Sequence, residues 1–272
     1  MANDDWVPED VDLSSPNVAR IYDYYLGGAH NFAIDREFAK KAIAVMPDVR
    51  ALSWLNRLFL RRAVRYCVDQ GVRQFLDIGS GIPTVGHTHE IAQAAAPDAR
   101  VVYVDNEAVA VAHSEMILQD NPNATVVRAD ARSPEEILTA APTRALLDFD
   151  QPIAILMLAL VHFIPDDQNP VGLIGRYRNA VASGSHIIVS SVTADRHPAE
   201  MEGFAALYRN GSTPLIPRSA AEFGALLTGW DLVPPGVSPL AEWHPSDQEP
   251  PPPGGGSGHA DELGYGAVAR KP

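Results

Sequence analysis

The sequence predicts an α/β protein with a doubly wound, mostly parallel sheet, because apolar strand patterns alternate with helical patterns from residue 73 onward. Three of these strands end in an aspartate, at positions 77, 105 and 130. Two glycines follow the first aspartate, where the strand turns into a helix. We expect seven strands, of which the last two form an antiparallel hairpin, because only a loop separates them.

The first 72 residues predict a helical region that precedes the sheet. Three helices are expected, over residues 14–27, 35–45 and 48–70. Tyr22 and Tyr25 lie three residues apart in the first helix and therefore share one face. We expect these helices to fold over the carboxyl edge of the sheet as a lid, separate from a core domain at residues 73–272.

The core domain is expected to alternate between strands and helices. Strands are expected over residues 75–78, 100–105, 124–130, 153–160, 186–191, 230–233 and 265–270, and helices over 84–96, 167–182 and 217–228. The run from 153 to 160 is almost wholly apolar, which indicates a central strand buried on both faces. Four prolines followed by glycines at 250–258 predict an exposed loop.

The turn after the first strand indicates a nucleotide-binding site. Gly79 and Gly81 allow the main chain to approach a ligand and to adopt angles closed to other residues. A dinucleotide fingerprint needs a third glycine where the helix opens, and the chain has Thr84 there. Asp77 would repel a pyrophosphate, whereas it suits a cationic amine. The pattern therefore favours S-adenosylmethionine (SAM), whose methionine part carries such an amine.

The other two strand-end aspartates are expected to share the same crevice. Asp105 can accept hydrogen bonds from both ribose hydroxyls, and Asp130 is placed to accept the adenine amino group. Ser80, Asn106 and Ala131 are their neighbours in sequence and are expected beside the cofactor. Each aspartate alone is equally well explained as a helix cap or turn residue. Three aspartates at the corresponding ends of three strands favour a binding site.

Composition and charge narrow the function further. A net charge of −13 repels phosphate backbones, so we expect no nucleic-acid partner. The sequence has no apolar run long enough to span a bilayer, and its acidic N-terminus lacks the pattern of a signal peptide. A single cysteine, Cys67, excludes an internal disulfide. We expect a cytoplasmic enzyme with no membrane partner, of unknown oligomeric state.

The strand-end acids, the order of elements and the terminal hairpin together resemble a class I SAM-dependent methyltransferase, over roughly residues 74–272. Segments 19–32, 60–66 and 74–83 are similar, more narrowly, to a bacterial family known as "S-adenosyl methyltransferase" and formerly as a domain of unknown function. The resemblance implies a Rossmann-like fold, SAM as cofactor and methyl transfer to an acceptor that it does not specify. We expect a small molecule.

Catalytic candidates follow from the chemistry, because methyl transfer needs a base only if the nucleophile must lose a proton. His162 follows the fourth strand, and His30 lies in the lid, and either imidazole can titrate near neutrality. A packed core histidine and a loop histidine are the alternatives. Tyr22 can hold a sulfonium by cation–π attraction or orient a nucleophile, although packing is the simpler explanation of its spacing.

Three further residues are expected at the cofactor. Asn31 follows two glycines and a histidine, which suggests a ligand contact, although an Asx turn explains it equally well. Arg57 on the third helix can fork onto the methionine carboxylate. The backbone around Leu158 is expected to line the remaining wall.

No metal site and no hydrolase are expected. His87 and His89 lie two residues apart, so on a helix they would face different directions. Gly79-Ser80-Gly81 is too short for a nucleophile elbow. Two alternatives stay open: a NAD-dependent oxidoreductase, and a SAM-binding regulatory protein without turnover.

Overall fold

A computed structural model describes residues 11–83, 86–209, 213–245 and 259–272. Thr84, the N-terminal residues 1–10 and the predicted proline-rich loop at 250–258 lie outside these ranges.

The described residues form α-helices and strands that alternate through the core. The helices are α1 (Val18–Tyr25), α2 (Ala33–Val45), α3 (Val49–Asp69), α4 (Thr88–Ala95), α5 (Ala108–Leu118), α6 (Pro134–Thr139), α7 (Ala141–Leu146), α8 (Pro170–Ala180), α9 (Pro198–Arg209) and α10 (Ala220–Ala225). The strands are β1 (Gln74–Ile78), β2 (Arg100–Asp105), β3 (Ala124–Arg128), β4 (Ala154–Met157), β5 (His186–Val192), β6 (Asp231–Leu232), β7 (Ser238–Pro239) and β8 (Gly264–Arg270).

One sheet joins these strands in the order β3-β2-β1-β4-β5-β8-β6, and β7 also pairs with β8. Strands β1 to β5 are parallel, and β8 runs antiparallel to β5, β6 and β7. The predicted α/β fold with a C-terminal antiparallel hairpin is confirmed. Strand order reverses between β1 and β4, and in open sheets of this kind ligands bind in the crevice at such a reversal, outside the carboxyl ends of the strands.

Several boundaries differ from the predictions. Helix α1 begins at Val18, because Asn17 and not a serine caps it by accepting a hydrogen bond from Ala19 N at 2.8 Å. Strand β4 ends at Met157, because Ala159 has a left-handed φ of 50° and its N–H donates to Ser190 Oγ. Helices α5, α6, α7 and α9 and the two-residue strand β7 were not predicted.

The two faces of the sheet carry separate apolar cores. Alternate residues of one strand point to opposite faces, so Phe75 packs in one cluster and Leu76 in the other. The first cluster includes residues of α1, α2, α3 and α9, and the second includes residues of α8 and α10. The N-terminal helices therefore pack on the same face as α9. None of the described helices has the length and apolarity that crossing a membrane requires.

A buried ionic cluster fixes α1 relative to the sheet. Arg20 is 1% exposed, and its Nε lies 2.9 Å from Asp35 Oδ2 in α2. Its Nη1 lies 2.9 Å from Glu107 Oε1, just after β2. Asn17 Nδ2 also donates to Glu107, at 2.6 Å. These bonds hold the first helix next to the end of β2, where Asp105 lies.

Candidate cofactor and acceptor site

A cavity of about 570 Å³ lies at the carboxyl edge of the parallel strands. Its volume falls in the range typical of small-molecule sites. Strand-end loops form one part, which we call the cofactor half, lined by Arg57, Asp77, Gly79, Ser80, Gly81, Asp105, Asn106, Asp130, Ala131 and Arg132. Helices and the segment after β4 form the other, which we call the acceptor chamber, lined by Tyr22, Tyr25, Met46, Phe163, Phe204 and Tyr208. Leu158 lies in the wall of the same cavity.

All three strand-end aspartates line this one cavity. The register explains why, because Asp77 pairs with Tyr103 and Asp105 pairs with Arg128 in adjacent parallel strands. Strands that run side by side in the same direction end at the same edge. The sequence predicted this convergence.

Asp77 is buried, and burial raises the pKa of its carboxyl to about 6. Thr88 Oγ1, in the first turn of α4, donates to Asp77 Oδ2 at 2.7 Å, and Arg57 also acts to lower this pKa. A carboxylate with a raised pKa gains most from a cationic partner, because such a partner favours the charged form. Asp77 is therefore suited to an ammonium group.

The turn from β1 keeps its backbone against the cavity. Gly79 and Gly81 have φ of 70° and 67°, in the left-handed region that favours glycine. A Cβ at position 79 would lie 2.8 Å from Leu160, whereas a Cβ at position 81 would meet open space. The buried hydroxyl of Ser80 has no hydrogen-bond partner among the described residues. An orphaned polar atom and an open backbone in one turn fit a polar ligand.

Asp105 is held by backbone donors on both carboxylate oxygens. Gly81 N donates to Oδ2 at 2.7 Å, and Glu107 N donates to Oδ1 at 2.9 Å. Burial raises its pKa above the ordinary value, and the backbone donors oppose that shift. An ionised carboxylate has about four lone-pair sites, so Asp105 keeps acceptor capacity for a diol such as ribose.

Asp130 forms a partly exposed ion pair with Arg132. The guanidinium donates to both carboxylate oxygens, and Arg132 N donates to Oδ1 at 2.8 Å. This hydrogen bonding lowers the pKa of Asp130. Next to it, Ala131 is fixed by Tyr177, whose hydroxyl donates to Ala131 O at 2.7 Å. Arg132 therefore already binds the carboxylate that was predicted to accept a hydrogen bond from the adenine amino group.

Arg57 of α3 lines the cavity on the side of Asp77. Its Nη2 donates to Gly86 O at 2.7 Å, which ties α3 to the loop before α4. A guanidinium here provides positive charge near the buried carboxylate of Asp77. The same charge can attract a ligand carboxylate.

A hydrogen-bonded chain crosses the wall between the two parts of the cavity. Asn56 Nδ2 donates to the Tyr22 hydroxyl at 2.9 Å, and that hydroxyl donates to Ser53 O. On the other side, Ser190 Oγ donates to Asn56 Oδ1 at 2.7 Å. The Tyr22 hydroxyl therefore donates its proton to a backbone carbonyl. Its oxygen keeps a second lone pair that can accept a hydrogen bond from a ligand. No local pattern in the sequence indicates Asn56 or Ser190, which lie 134 residues apart.

His162 lines the cavity but is a weak base there. Burial and the charge of Arg218 lower its pKa to about 3. Its Nδ1 is buried without a hydrogen-bond partner among the described residues, and its ring lies 4.4 Å from that of Phe163. Among the described residues no carboxylate opposes this shift, so His162 is poorly suited to remove a proton.

His30, a candidate catalytic base, and Asn31, expected at the cofactor, are not among the residues that line the cavity. The carboxylate of Asp23 accepts hydrogen bonds from His30 N at 2.9 Å and from Asn31 Nδ2 at 2.7 Å. The His30 ring lies against that of His113 in α5, with ring centroids 3.8 Å apart and ring planes tilted by 50°. Asn31 Nδ2 also donates to Gly28 O at 3.0 Å, so hydrogen bonds within the N-terminal region account for the Asn31 amide without a ligand.

His89 forms hydrogen bonds within the protein that account for its position. Its backbone N–H donates to the Tyr103 hydroxyl at 2.8 Å, and its Nδ1 lies 2.8 Å from the same oxygen. Within the described ranges, no group of three histidine, cysteine or acidic side chains is placed to hold a metal ion.

Comparison with known proteins places this site in context. The profile of the S-adenosyl methyltransferase family matches residues 4–272. A candidate methyltransferase of Thermobifida fusca is 36% identical, with a TM-score of 0.90 and coverage of 98% of both chains. A DUF574 family protein of Streptomyces avermitilis is 38% identical, with a TM-score of 0.90 and coverage of 96% of this chain and 99% of that one.

More distant structures share the fold. Human N-acetylserotonin methyltransferase, determined with SAM, is 15% identical, with a TM-score of 0.50 over 91% of this chain and 62% of that one. No curated protein matches the sequence.

Proposed function

Because the chain belongs to the S-adenosyl methyltransferase family, we propose that it methylates a small, uncharged acceptor that binds in the acceptor chamber. The chain is a SAM-dependent methyltransferase, and SAM is its cofactor. The acceptor and the roles of individual residues are the proposed part.

One observation carries this proposal: a single cavity joins three strand-end carboxylates to a chamber walled by apolar and aromatic side chains. The cofactor half offers acceptors for an amine and for hydroxyls. The chamber provides a dry space beside it, which favours alignment of a second, less polar molecule.

Each cofactor residue has a proposed role that matches its surroundings. Asp77 would hold the amine of the methionine part, and Arg57 would hold its carboxylate. Asp105 would accept from the ribose hydroxyls. Asp130 and the Ala131 backbone would contact adenine, which requires Arg132 to share or release the Asp130 carboxylate. Ser80, Asn106 and Leu158 would contact the cofactor from the surrounding walls.

Bound SAM supplies a methyl group on a positively charged sulfur, which is already an excellent leaving group. The protein's task is therefore to orient the acceptor and exclude water. Tyr22 presents a lone pair at the boundary between the halves, and its proton is bonded to Ser53 O. His162 is a weak base, so we propose that the acceptor atom is a neutral nitrogen, whose lone pair can attack the methyl group without a protein base.

Helices α1 to α3 act as a lid in this proposal. Tyr22 and Tyr25 come from α1, and Asn56 comes from α3. The buried bonds from Arg20 to Asp35 and Glu107 support a closed position over the cofactor. A lid of this kind excludes water and completes the acceptor site.

We further propose a cytoplasmic location and no nucleic-acid partner. The net charge of −13 disfavours approach to phosphate backbones. Cys67 is a free, buried thiol whose pKa is raised by burial, which is compatible with a reducing compartment. Neither a NAD-dependent oxidoreductase nor a regulatory protein without turnover finds support in the family match.

Methyl transfer to fractionated cell extract tests the proposal. The protein is incubated with SAM labelled in its methyl group, and label is sought in small-molecule, protein and nucleic-acid fractions, with heat-denatured protein as the inactive control. We expect label in the small-molecule fraction with the wild-type protein only. Label confined to protein or nucleic acid would overturn the proposed acceptor class.

A further inference from the structure

Two tyrosine hydroxyls meet in the wall of the acceptor chamber. Tyr25 of α1 and Tyr208 of α9 are 3% and 5% exposed, and their oxygens lie 3.4 Å apart. Both residues line the cavity. They lie 183 residues apart in sequence and form the contact only because α9 packs on the same face of the sheet as α1.

The two hydroxyls together have one O–H donor more than their mutual hydrogen bond requires. Each phenol has one O–H donor, so the two together carry two. One proton bonds the two oxygens to each other, and no other hydrogen bond to either hydroxyl is found among the described residues. A buried donor without an acceptor costs free energy, and the cavity is where an acceptor can be supplied.

Aromatic rings surround the two hydroxyls, and the guanidinium of Arg50 donates to the backbone oxygen of Tyr25 at 3.2 Å and not to its hydroxyl. Around Tyr208, the ring of Phe38 lies at 4.9 Å, that of Phe204 at 5.2 Å and that of Phe163 at 5.8 Å. The described cavity-lining residues of α1 and α9 carry no charge. Burial raises the pKa of Tyr25 well above its ordinary value and that of Tyr208 to about 12, so both stay protonated donors at neutral pH.

We infer that the Tyr25–Tyr208 pair is a recognition site for a neutral aromatic acceptor that carries an oxygen or nitrogen able to accept a hydrogen bond. This inference rests on the proposed function and names the class of acceptor that the chamber takes. The aromatic walls select a flat apolar ring system. The surplus hydroxyl proton selects a polar atom on it, and the lack of charge disfavours an ionised group.

Three probes of nearly equal shape test the inference. They are 2-acetylnaphthalene, which has a carbonyl acceptor, 2-isopropenylnaphthalene, which replaces the carbonyl oxygen with a methylene, and 2-naphthoate, which is an anion. Binding is measured by calorimetry in the presence of saturating S-adenosylhomocysteine. We expect the ketone to bind about tenfold more tightly than the alkene, since one neutral hydrogen bond differs between them, and more tightly than the anion.

Variants assign the preference to the pair. In a Tyr25→Phe/Tyr208→Phe double variant, the ketone should lose its advantage while the alkene binds as before. Tyr265→Phe is the matched control, because Tyr265 donates to Asp195 at the exposed end of β8 and should leave every affinity unchanged. A thermal melt shows whether the double variant folds, and if it does not, the wild-type ratio alone decides.

Equal binding of ketone and alkene, tightest binding of the anion, or no binding of any probe would overturn the inference. A ketone preference that survives in the folded double variant would do the same. Binding of S-adenosylhomocysteine distinguishes a failure of the proposed cofactor site from a failure of the inference about the tyrosine pair. Its absence would count against the proposed cofactor site, whereas its presence with equal probe affinities would leave that site intact and remove only the inference about the tyrosine pair.

Discussion

The two parts of the cavity are built in different ways. The cofactor half comes mainly from the ends of β1, β2 and β3, with Arg57 from α3, and its groups are polar and charged side chains and backbone atoms. The acceptor chamber comes mainly from α1, α9 and the segment after β4, with Met46 from the end of α2, and its groups are mostly rings and hydroxyls. Adjacent parallel strands fix the first, whereas packing of helices distant in sequence fixes the second. The cofactor half is therefore set by the fold, and the acceptor chamber by which helices cover it.

The largest effect is expected on the free energy of unfolding, at the ionic cluster that holds α1 next to the end of β2. Arg20→Met removes a buried guanidinium and leaves Asp35, which is 0% exposed, without its ionic partner. Breaking a buried pair in this way costs about 3–5 kcal/mol, so the free energy of unfolding, measured by urea denaturation, should fall by that amount. Arg209→Met is the control, since its pair with Glu202 is exposed, and should change stability little. Equal losses in the two variants would mean that the ionic cluster does not hold α1 in place.

Within the cofactor half, Asp105→Ala should have the next largest effect. The change leaves Gly81 N and Glu107 N without their acceptor and removes the proposed ribose contact. SAM binding, measured by calorimetry, should weaken by about 1–3 kcal/mol. Asp231→Ala at the exposed edge strand serves as the control. An unchanged affinity would remove Asp105 from the cofactor half.

The raised pKa of Asp77 predicts a pH dependence of cofactor binding. The ionised carboxylate favours an ammonium ligand, and protonation removes that attraction. Since its pKa is about 6, SAM affinity should be constant from pH 8 to 7 and fall as pH drops below about 6. In Asp77→Asn the affinity should be weaker and flat over this range, while Asp105→Asn should keep the fall. A profile that is flat in the wild-type protein would argue against Asp77 as the amine partner.

The smallest effect is expected at Arg132. Its pair with Asp130 is partly exposed, with 51% and 31% of the two side chains accessible, and surface pairs contribute little. If adenine must compete with Arg132 for the Asp130 carboxylate, Arg132→Ala should tighten SAM binding by a factor of about two to three. A loss of affinity instead would make Arg132 itself a cofactor contact.

The same difference between the halves explains what could be predicted from sequence. Asp77, Asp105 and Asp130 each follow an apolar strand, and parallel pairing brings such positions to one edge. A local pattern therefore predicted both the fold and the cavity-lining acids. It also predicted that Leu158 and Arg57 lie in the cavity wall.

Long-range contacts explain what was missed. Tyr208 lies on α9, a helix that the sequence analysis did not assign, and its partner Tyr25 is 183 residues away. No local sequence pattern predicts a contact between residues so far apart in the chain. Conversely, His30 and Asn31 had a suggestive local pattern, yet Asp23 accepts hydrogen bonds from the His30 backbone N–H and the Asn31 amide within the N-terminal region. A local motif identifies polar residues but not whether a nearby side chain already occupies them.

A crystal structure with S-adenosylhomocysteine tests the central claim most directly. We predict adenosyl density among Asp77, Asp105 and Asp130, with the sulfur at the boundary beside Tyr22 and open toward Tyr25 and Tyr208. Adenosyl density elsewhere, or a sulfur that points away from the aromatic chamber, would contradict the division of the cavity into a cofactor half and an acceptor chamber.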